Sequence, residues 1–266
     1  MEYQIRDIAE LLNISKQMVR YYEQNGVITP KRMEGNNYRV YDVLDYFALG
    51  EAISLSRFNI NIKDIYELTA NDYTKELSKC YRNYIKETDE ELAYKSMLKE
   101  RAEELLKRTE SAELNVGNVW IKRIPEHRLY PLVKGHNDDY GPILIPKEVR
   151  SALSNSALMP FGEGVIELED GFQRWWIGIQ EKYAKHLEIP FCEACITVPE
   201  HYSVCVIINM GEIGGHYVER IEETIANIHQ MNYEFAGKPQ GMLLCRGSQN
   251  NEFHRLLEIQ VPIRKP

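Results

Sequence analysis

The sequence predicts a multi-domain chain: an all-α winged helix-turn-helix, a long coiled-coil helix, and a duplicated α+β domain on a mainly antiparallel sheet. Three observations predict it. Apolar residues near the start recur at helical spacing on both sides of a short turn. Residues 77–112 contain neither Gly nor Pro. From about Val119 the pattern changes to short apolar alternations broken by Gly, Pro and Asn. The expected boundaries are 1–75, 76–115 and 116–266.

Length and composition bound the alternatives. The 266 residues suffice for two modest domains, at roughly 100–150 residues each. No apolar run approaches the ~20 residues of a membrane span, so no membrane partner is expected. The start, MEYQIRDIAE, lacks a basic region followed by an apolar core, which points to a cytoplasmic protein. Five cysteines, an odd count without a secretion signal, argue against a disulfide framework. Cys192 and Cys195 form a CxxC, but no second CxxC or close HxxxH supplies further zinc ligands. Buried thiols are the expectation, with a redox role as the alternative, and no metal or cofactor is expected.

The first helix reads from Ile5, Ile8, Ala9 and Leu12, one face at i, i+3, i+4, i+7. Asn13-Ile14-Ser15 is a turn whose Ser15 can cap a second helix, Lys16–Glu23, with Gly26 just past its end. Two short helices with such a turn make a helix-turn-helix, whose second helix enters the major groove. Gln17 and Arg20 share a face, and both are base-reading side chains. After Pro30, Gly35-Asn36-Asn37 is turn chemistry, and Tyr38–Tyr41 alternates like a short strand. That is a wing beside the recognition helix; a surface hairpin and an ordinary core helix are the alternatives. The net charge of −8 speaks against nucleic acid, and residues 1–60 hold seven basic against eight acidic groups. Yet Lys16, Arg20, Lys31, Arg32 and Arg39 fall close together, and one face of cations can meet phosphates.

Arg20-Tyr21-Tyr22-Glu23, then Gly26, Pro30, Arg32 and Asn37-Tyr38-Arg39-Val40-Tyr41, resemble the signature of MerR-family transcription regulators, in order and at family spacing. The chain departs from it with Val27-Ile28 for the usual paired leucines and Asn37 for the usual Gly. Phe58, Ile62 and Ile65 resemble the helix that completes the family's winged unit. The resemblance implies binding to double-stranded promoter DNA through Lys16, Gln17, Arg20, Tyr21, Arg32, Tyr38 and Arg39. Arg20, Tyr21, Tyr38 and Arg39 would hold phosphates and Gln17 would face bases. For Tyr22, packing against the first helix is the alternative.

Leu77, Tyr81, Tyr84, Thr88, Glu91, Lys95, Leu98, Ala102, Leu105, Thr109 and Ala112 follow the 4,3 spacing of a coiled coil, with Glu91 and Lys95 flawing the seam. A helix packed within one chain is the alternative. The MerR resemblance implies an antiparallel coiled coil and a homodimer, which suits a palindromic operator.

Strands are expected at 119–124, 128–134, 163–168, 174–179, 194–198, 203–209, 241–246 and 255–261, and helices at 146–155 and 215–231. Strand, helix, then strands, seen twice, is the duplication. Ile228–Pro239 and Leu257–Ile263 resemble the closing segments of GyrI-like effector-binding domains. Glu258, a carboxylate among apolar neighbours, is costly to bury unpaired; by that resemblance it faces a cationic ligand, and an internal cation is the alternative. Adjacent Trp175 and Trp176 point to opposite faces of a strand, so one lines a pocket and the other packs elsewhere. Phe161 joins them as a ligand-binding candidate by its aromatic face, with Tyr140 and Tyr183 behind it and core packing as the alternative for each. The expected function is ligand-responsive transcription regulation: a small lipophilic, cationic compound shifts a dimer that distorts promoter DNA for RNA polymerase. The alternative is a small-molecule hydrolase with Glu258 as general base. A metal sensor fits less well, since no cysteine lies between 81 and 191.

Overall fold

The computed structural model describes residues 2–33, 37–61, 73–154, 156–169, 172–249 and 252–264. The chain divides into two compact units, Met1–Lys95 and Ser96–Pro266. Gly35, Asn36, Ile62 and Ile65, which carried sequence expectations, lie outside the described residues.

In the first unit, α1 (Ile5–Leu11) and α2 (Lys16–Gln24) are joined through Asn13, at a left-handed φ of 52°. Ser15 caps α2, its hydroxyl accepting from the Met18 N–H at 3.1 Å. β1 (Lys31–Arg32) pairs antiparallel with β2 (Arg39–Val40). Asn37 sits at φ 56°, the conformation in which Asn can replace Gly. Tyr41 is bound to Tyr3 by two backbone hydrogen bonds of 2.8 and 2.9 Å. α3 (Val43–Ser56) is not among the elements expected from the sequence. It opens on a capping box: Asp42 accepts from the Leu44 and Asp45 N–H groups, and Asp45 accepts from the Asp42 N–H. Ile8, Val19, Tyr22, Tyr41 and Leu49 meet in the core, so Tyr22 packs inward.

α4 (Tyr73–Ala112) contains the division between the units. Of its expected seam, Leu77 and Tyr81 pack against the first core, and Phe58 meets Tyr81 and Tyr84 edge-on at 5.2 and 5.3 Å. Ala112 is buried with Ile207 and Leu256 of the second unit. The large apolar side chains that α4 leaves exposed are Ile85, Leu92, Leu105 and Leu106.

The second unit continues with β3 (Val119–Ile124), β4 (His127–His136), β5 (Asp139–Tyr140), α5 (Lys147–Leu153), β6 (Glu163–Glu169) and β7 (Phe172–Gln180). Then come α6 (Glu181–His186), β8 (Ile196–Val198), β9 (His201–Asn209), α7 (Tyr217–His229), β10 (Gln240–Gln249) and β11 (Glu252–Ile263). All the strand pairings in this sheet are antiparallel, in the order β3-β9-β11-β10-β6-β7-β4-β5, with β8 also on β4.

The expected duplication is visible in this order. β4-α5-β6-β7 and β9-α7-β10-β11 each place their last strand between the other two, and the repeats meet where β6 pairs with β10. Their leading strands are exchanged. β3 precedes β4 but pairs with β9; β8 precedes β9 but pairs with β4. Each exchange turns on the same residues, Pro125-Glu126-His127 and Pro199-Glu200-His201. In each, the histidine Nδ1 lies within hydrogen-bond distance of the carbonyl of its own proline, at 3.0 and 2.8 Å. Two residues join β3 to β4 across nearly the whole strand order, so the sheet must curl to bring its ends together.

α7 covers one face: Val204, Leu257, Ile259 and Val261 pack against Tyr217, Val218 and Ile221. The alternate residues of the same strands form the opposite, polar face. On it stand Glu163 and Glu167 of β6, Trp176, Met242, Glu258 and Gln260.

Candidate nucleic-acid interface and effector face

In the first unit, α2 buries Val19 and Tyr22 and exposes Lys16, Gln17, Arg20 and Tyr21. The 3.6-residue period alone produces this split. Among the described residues, no hydrogen-bond or ion-pair partner is assigned to Lys16, Gln17 or Arg20. Arg39 on β2 is held by Glu23 of α2, its Nε donating to both carboxylate oxygens at 2.7 and 2.8 Å. That pair raises the Arg39 pKa further and locks the hairpin onto the helix. Arg32 donates to the Asn37 carbonyl at 3.3 Å, across the hairpin. Tyr38 is 70% exposed at its tip.

Among the described residues, the polar face of the second unit carries the carboxylates of Glu163, Glu167 and Glu258. Glu163 is buried against two arginines of α4, with Arg101 Nη2 at 2.7 Å and Arg108 Nη1 at 2.5 Å. The Arg101 side chain is only 4% exposed; it also donates to Glu104 at 3.1 Å and to the Pro160 carbonyl at 3.2 Å. Burial works against the charge of Arg101, and the two carboxylates outweigh it, so its pKa rises. Glu258 receives Lys122 Nζ at 2.8 and 3.1 Å and Gln260 Nε2 at 2.6 Å. Glu167 accepts from Trp176 Nε1–H at 3.0 Å and Gln240 Nε2–H at 2.9 Å. Among the described residues it has no ion-pair partner. A hollow of about 330 Å³ opens beside it, lined by Glu167, His201, Lys238, Gln240, Gln260 and Pro262. A second, of about 390 Å³, shares Gln260 and is bounded by Arg108, Lys122, His127, Glu163 and Met242.

Residues 4–41 match the model of the MerR family regulatory protein. The match is confined to this amino-terminal segment. No curated protein matches the chain. Among solved structures, the chain is similar to a MerR-family transcriptional regulator from Bacillus cereus, at 16% identity and TM-score 0.35, over 42% of this chain and 86% of that one. It is similar to EcmrR in an EcmrR–DNA complex, at 15% identity and TM-score 0.35, over 99% and 100%. It is also similar to SAV2435 bound to tetraphenylphosphonium, at 13% identity and TM-score 0.33, over 55% and 94%.

Within the MerR unit, the expected DNA-binding residues divide in two. Lys16, Gln17, Arg20 and Tyr21 share the exposed face of α2, whereas Arg32 and Arg39 spend hydrogen bonds on holding the hairpin. The expected effector residues are not brought to one place. Phe161 is buried against the Tyr183 ring, at 4.5 Å between centroids. Trp176 is buried on the polar face, and Trp175 faces the helix-bearing side. Glu258 has Lys122 as its internal cation. Glu163 and Glu167 were not among the expected site residues. Their signal was an alternation of acids with apolar residues along β6, which reads equally as a solvated strand face. Cys195 is buried in a turn, its N–H donating to the Cys192 carbonyl at 3.0 Å, and burial pushes its thiol up to about 12. Among the described residues, no three His, Cys, Asp or Glu side chains form a metal-binding group. No helix among them is long and apolar enough to cross a membrane.

Proposed function

We propose that the chain is a ligand-responsive, sequence-specific transcription regulator that binds promoter DNA as a homodimer. The observation that carries the DNA half is the segment matching the MerR model, with a Lys16-Gln17-Arg20 face on α2 that has no partner among the described residues. Arg20 and Lys16 would hold phosphates, Gln17 would reach base edges, and the hairpin would set the register. Two copies would pair along the exposed side of α4 through Ile85 and Leu92. Ligand occupancy would shift the dimer toward a form that bends and untwists the promoter for RNA polymerase.

The carboxylates of the polar face support a lipophilic, cationic effector. Among the described residues, the protein fills two of them with its own cations, at Glu163 and Glu258, while Glu167 has hydrogen-bonding partners, with Arg174 over the neighbouring Trp176 ring at 5.3 Å. A carboxylate next to an indole is the chemistry that attracts an organic cation. Tetraphenylphosphonium serves as the probe. Calorimetry on the full chain should show binding that Glu167→Gln weakens by about tenfold. Glu258→Gln should cost less, since Lys122 already neutralises Glu258 in the wild type. Equal affinity for wild type and both variants would overturn the carboxylate role. DNA binding is tested separately, by selection from random duplexes: Arg20→Ala should weaken the selected site and lower its log K against log salt slope by about one.

A further inference from the structure

A third hollow, of about 350 Å³, opens on the helix-bearing face, over the junction of the two repeats. It has no part in the reading above. Its walls are apolar: Leu132, Trp175, Leu243 and Phe253. The β-bulge that follows Pro131 in β4 lets both Leu132 and Val133 face it. Its floor is Gly164 of β6. A Cβ there would lie 3.5 Å from the Trp175 ring and 3.6 Å from the Leu243 Cβ, ordinary contact distances. The backbone at Gly164 is not in the left-handed region, so neither conformation nor crowding requires glycine. A glycine within a strand weakens it and often marks the close approach of a ligand. What glycine gains at this position is room.

The polar groups of the hollow have a consistent sign. Asp138 is neutralised by Arg255 at 2.8 Å. Arg246, exposed at the rim, has no ion-pair partner among the described residues. The wall therefore carries one net positive charge. Trp175 is 8% exposed, and its buried Nε1–H has only the Tyr140 hydroxyl near it, outside good hydrogen-bond geometry. A buried donor without an acceptor is costly, and a ligand acceptor would satisfy it.

We infer that this hollow is a second effector site, for a small aromatic carboxylate. The ring lies among Trp175, Phe253, Leu132 and Leu243; the carboxylate accepts from Trp175 Nε1–H and is drawn by Arg246. The site is separate from the polar face, on the other side of the same sheet.

The test uses 2-naphthoate and the full chain, with the indole N–H resonances of the three tryptophans and calorimetry as readouts. The Trp175 resonance is the one missing from Trp175→Phe. In the wild type, 2-naphthoate should shift it more than the other two. Trp175→Phe, which keeps a ring but loses the donor, should weaken binding by about tenfold, as should Arg246→Gln. Gly164→Ala should weaken it by filling the floor. 2-Naphthyltrimethylammonium should bind more weakly than 2-naphthoate, and Glu167→Gln should leave 2-naphthoate affinity unchanged. No shift of the Trp175 resonance up to the solubility of 2-naphthoate overturns the inference. So does an equal loss in Glu167→Gln, which would place the compound on the polar face and leave the function proposed above standing.

Discussion

Arg101 shows how much one residue can commit a surface. Its guanidinium is buried beside Glu163, with Arg108 on the same carboxylate. Desolvating three charges is tolerable only because each keeps its partner. Glu163→Gln would leave Arg101 buried with Glu104 alone, and should destabilise the second unit by about 3 kcal/mol in urea unfolding. Arg101→Met should cost far less, because Arg108 still neutralises Glu163. Asp138 is a second such centre. Burial alone would raise its pKa, but bonds from Arg255, the Gly214 N–H and Tyr140 outweigh burial and hold the carboxyl below its usual value. A carboxyl lowered in the folded state contributes stability above its unfolded pKa, and that contribution is lost as pH falls through the folded value. Thermal stability should therefore fall with acid below about pH 4, and Asp138→Asn should flatten that part of the profile. An unchanged profile would assign the acid sensitivity elsewhere, to Glu104 and Glu181, whose pKa values are also lowered.

At the scale of elements, the eight strands and two helices expected after Val119 all form, because alternation survives wherever one strand face is buried. The elements that went unread have physical reasons. α3 exposes Val43, Leu44 and Phe47 while burying Leu49, Ala52 and Leu55, so its apolar residues run round the helix and leave no clean stripe. Its signal was the Asp42 capping box, and Asp42→Ala should cost about 1 kcal/mol of stability by chemical denaturation. β5 hides in a two-residue turn, with Asn137 and Asp138 both at positive φ, 47° and 70°, the pattern of a tight hairpin. Gly135 opposite is obligatory: a Cβ would fall 2.2 Å from the Asp139 carbonyl oxygen. Gly135→Ala should open this hairpin and release Asp138 from Arg255, read as loss of amide protection at Gly214. In α4, 4,3 spacing identified a long helix but not its faces. Leu77, Tyr81 and Ala112 are spent on the chain's own cores, and spacing alone cannot say which neighbour an apolar position meets.

For the chain as a whole, the legible parts were those encoded locally. The segment matched by the MerR model is compact in sequence, and the exposed face of α2 follows from helical period. Glu258 was legible as a carboxylate in an apolar strand, yet Lys122 lies 136 residues away, a pairing no local pattern reports. The duplicated domain was legible as two rounds of strand, helix and strands. The exchange of β3 and β8 was not, although Pro-Glu-His written twice marks both corners. Exchange makes each repeat depend on the other for a pairing strand. A fragment spanning residues 116–199 should therefore lack a cooperative unfolding transition by circular dichroism, whereas 116–266 should show one. A cooperative melt from the shorter piece would mean that the repeats are independent folding units.

The corner at Pro125-Glu126 also sets a schedule. β3 leaves the ribosome well before its partner β9, which begins at His201. At about 5–20 residues per second, that strand waits several seconds with its ladder groups unpaired, next to β4, which cannot take it. Nascent chains carry this exposed edge until nearly the whole domain has been synthesised. Neighbouring chains on one message would offer each other a ready β9 in the meantime, so crowded translation is a condition under which this domain is exposed to misassembly.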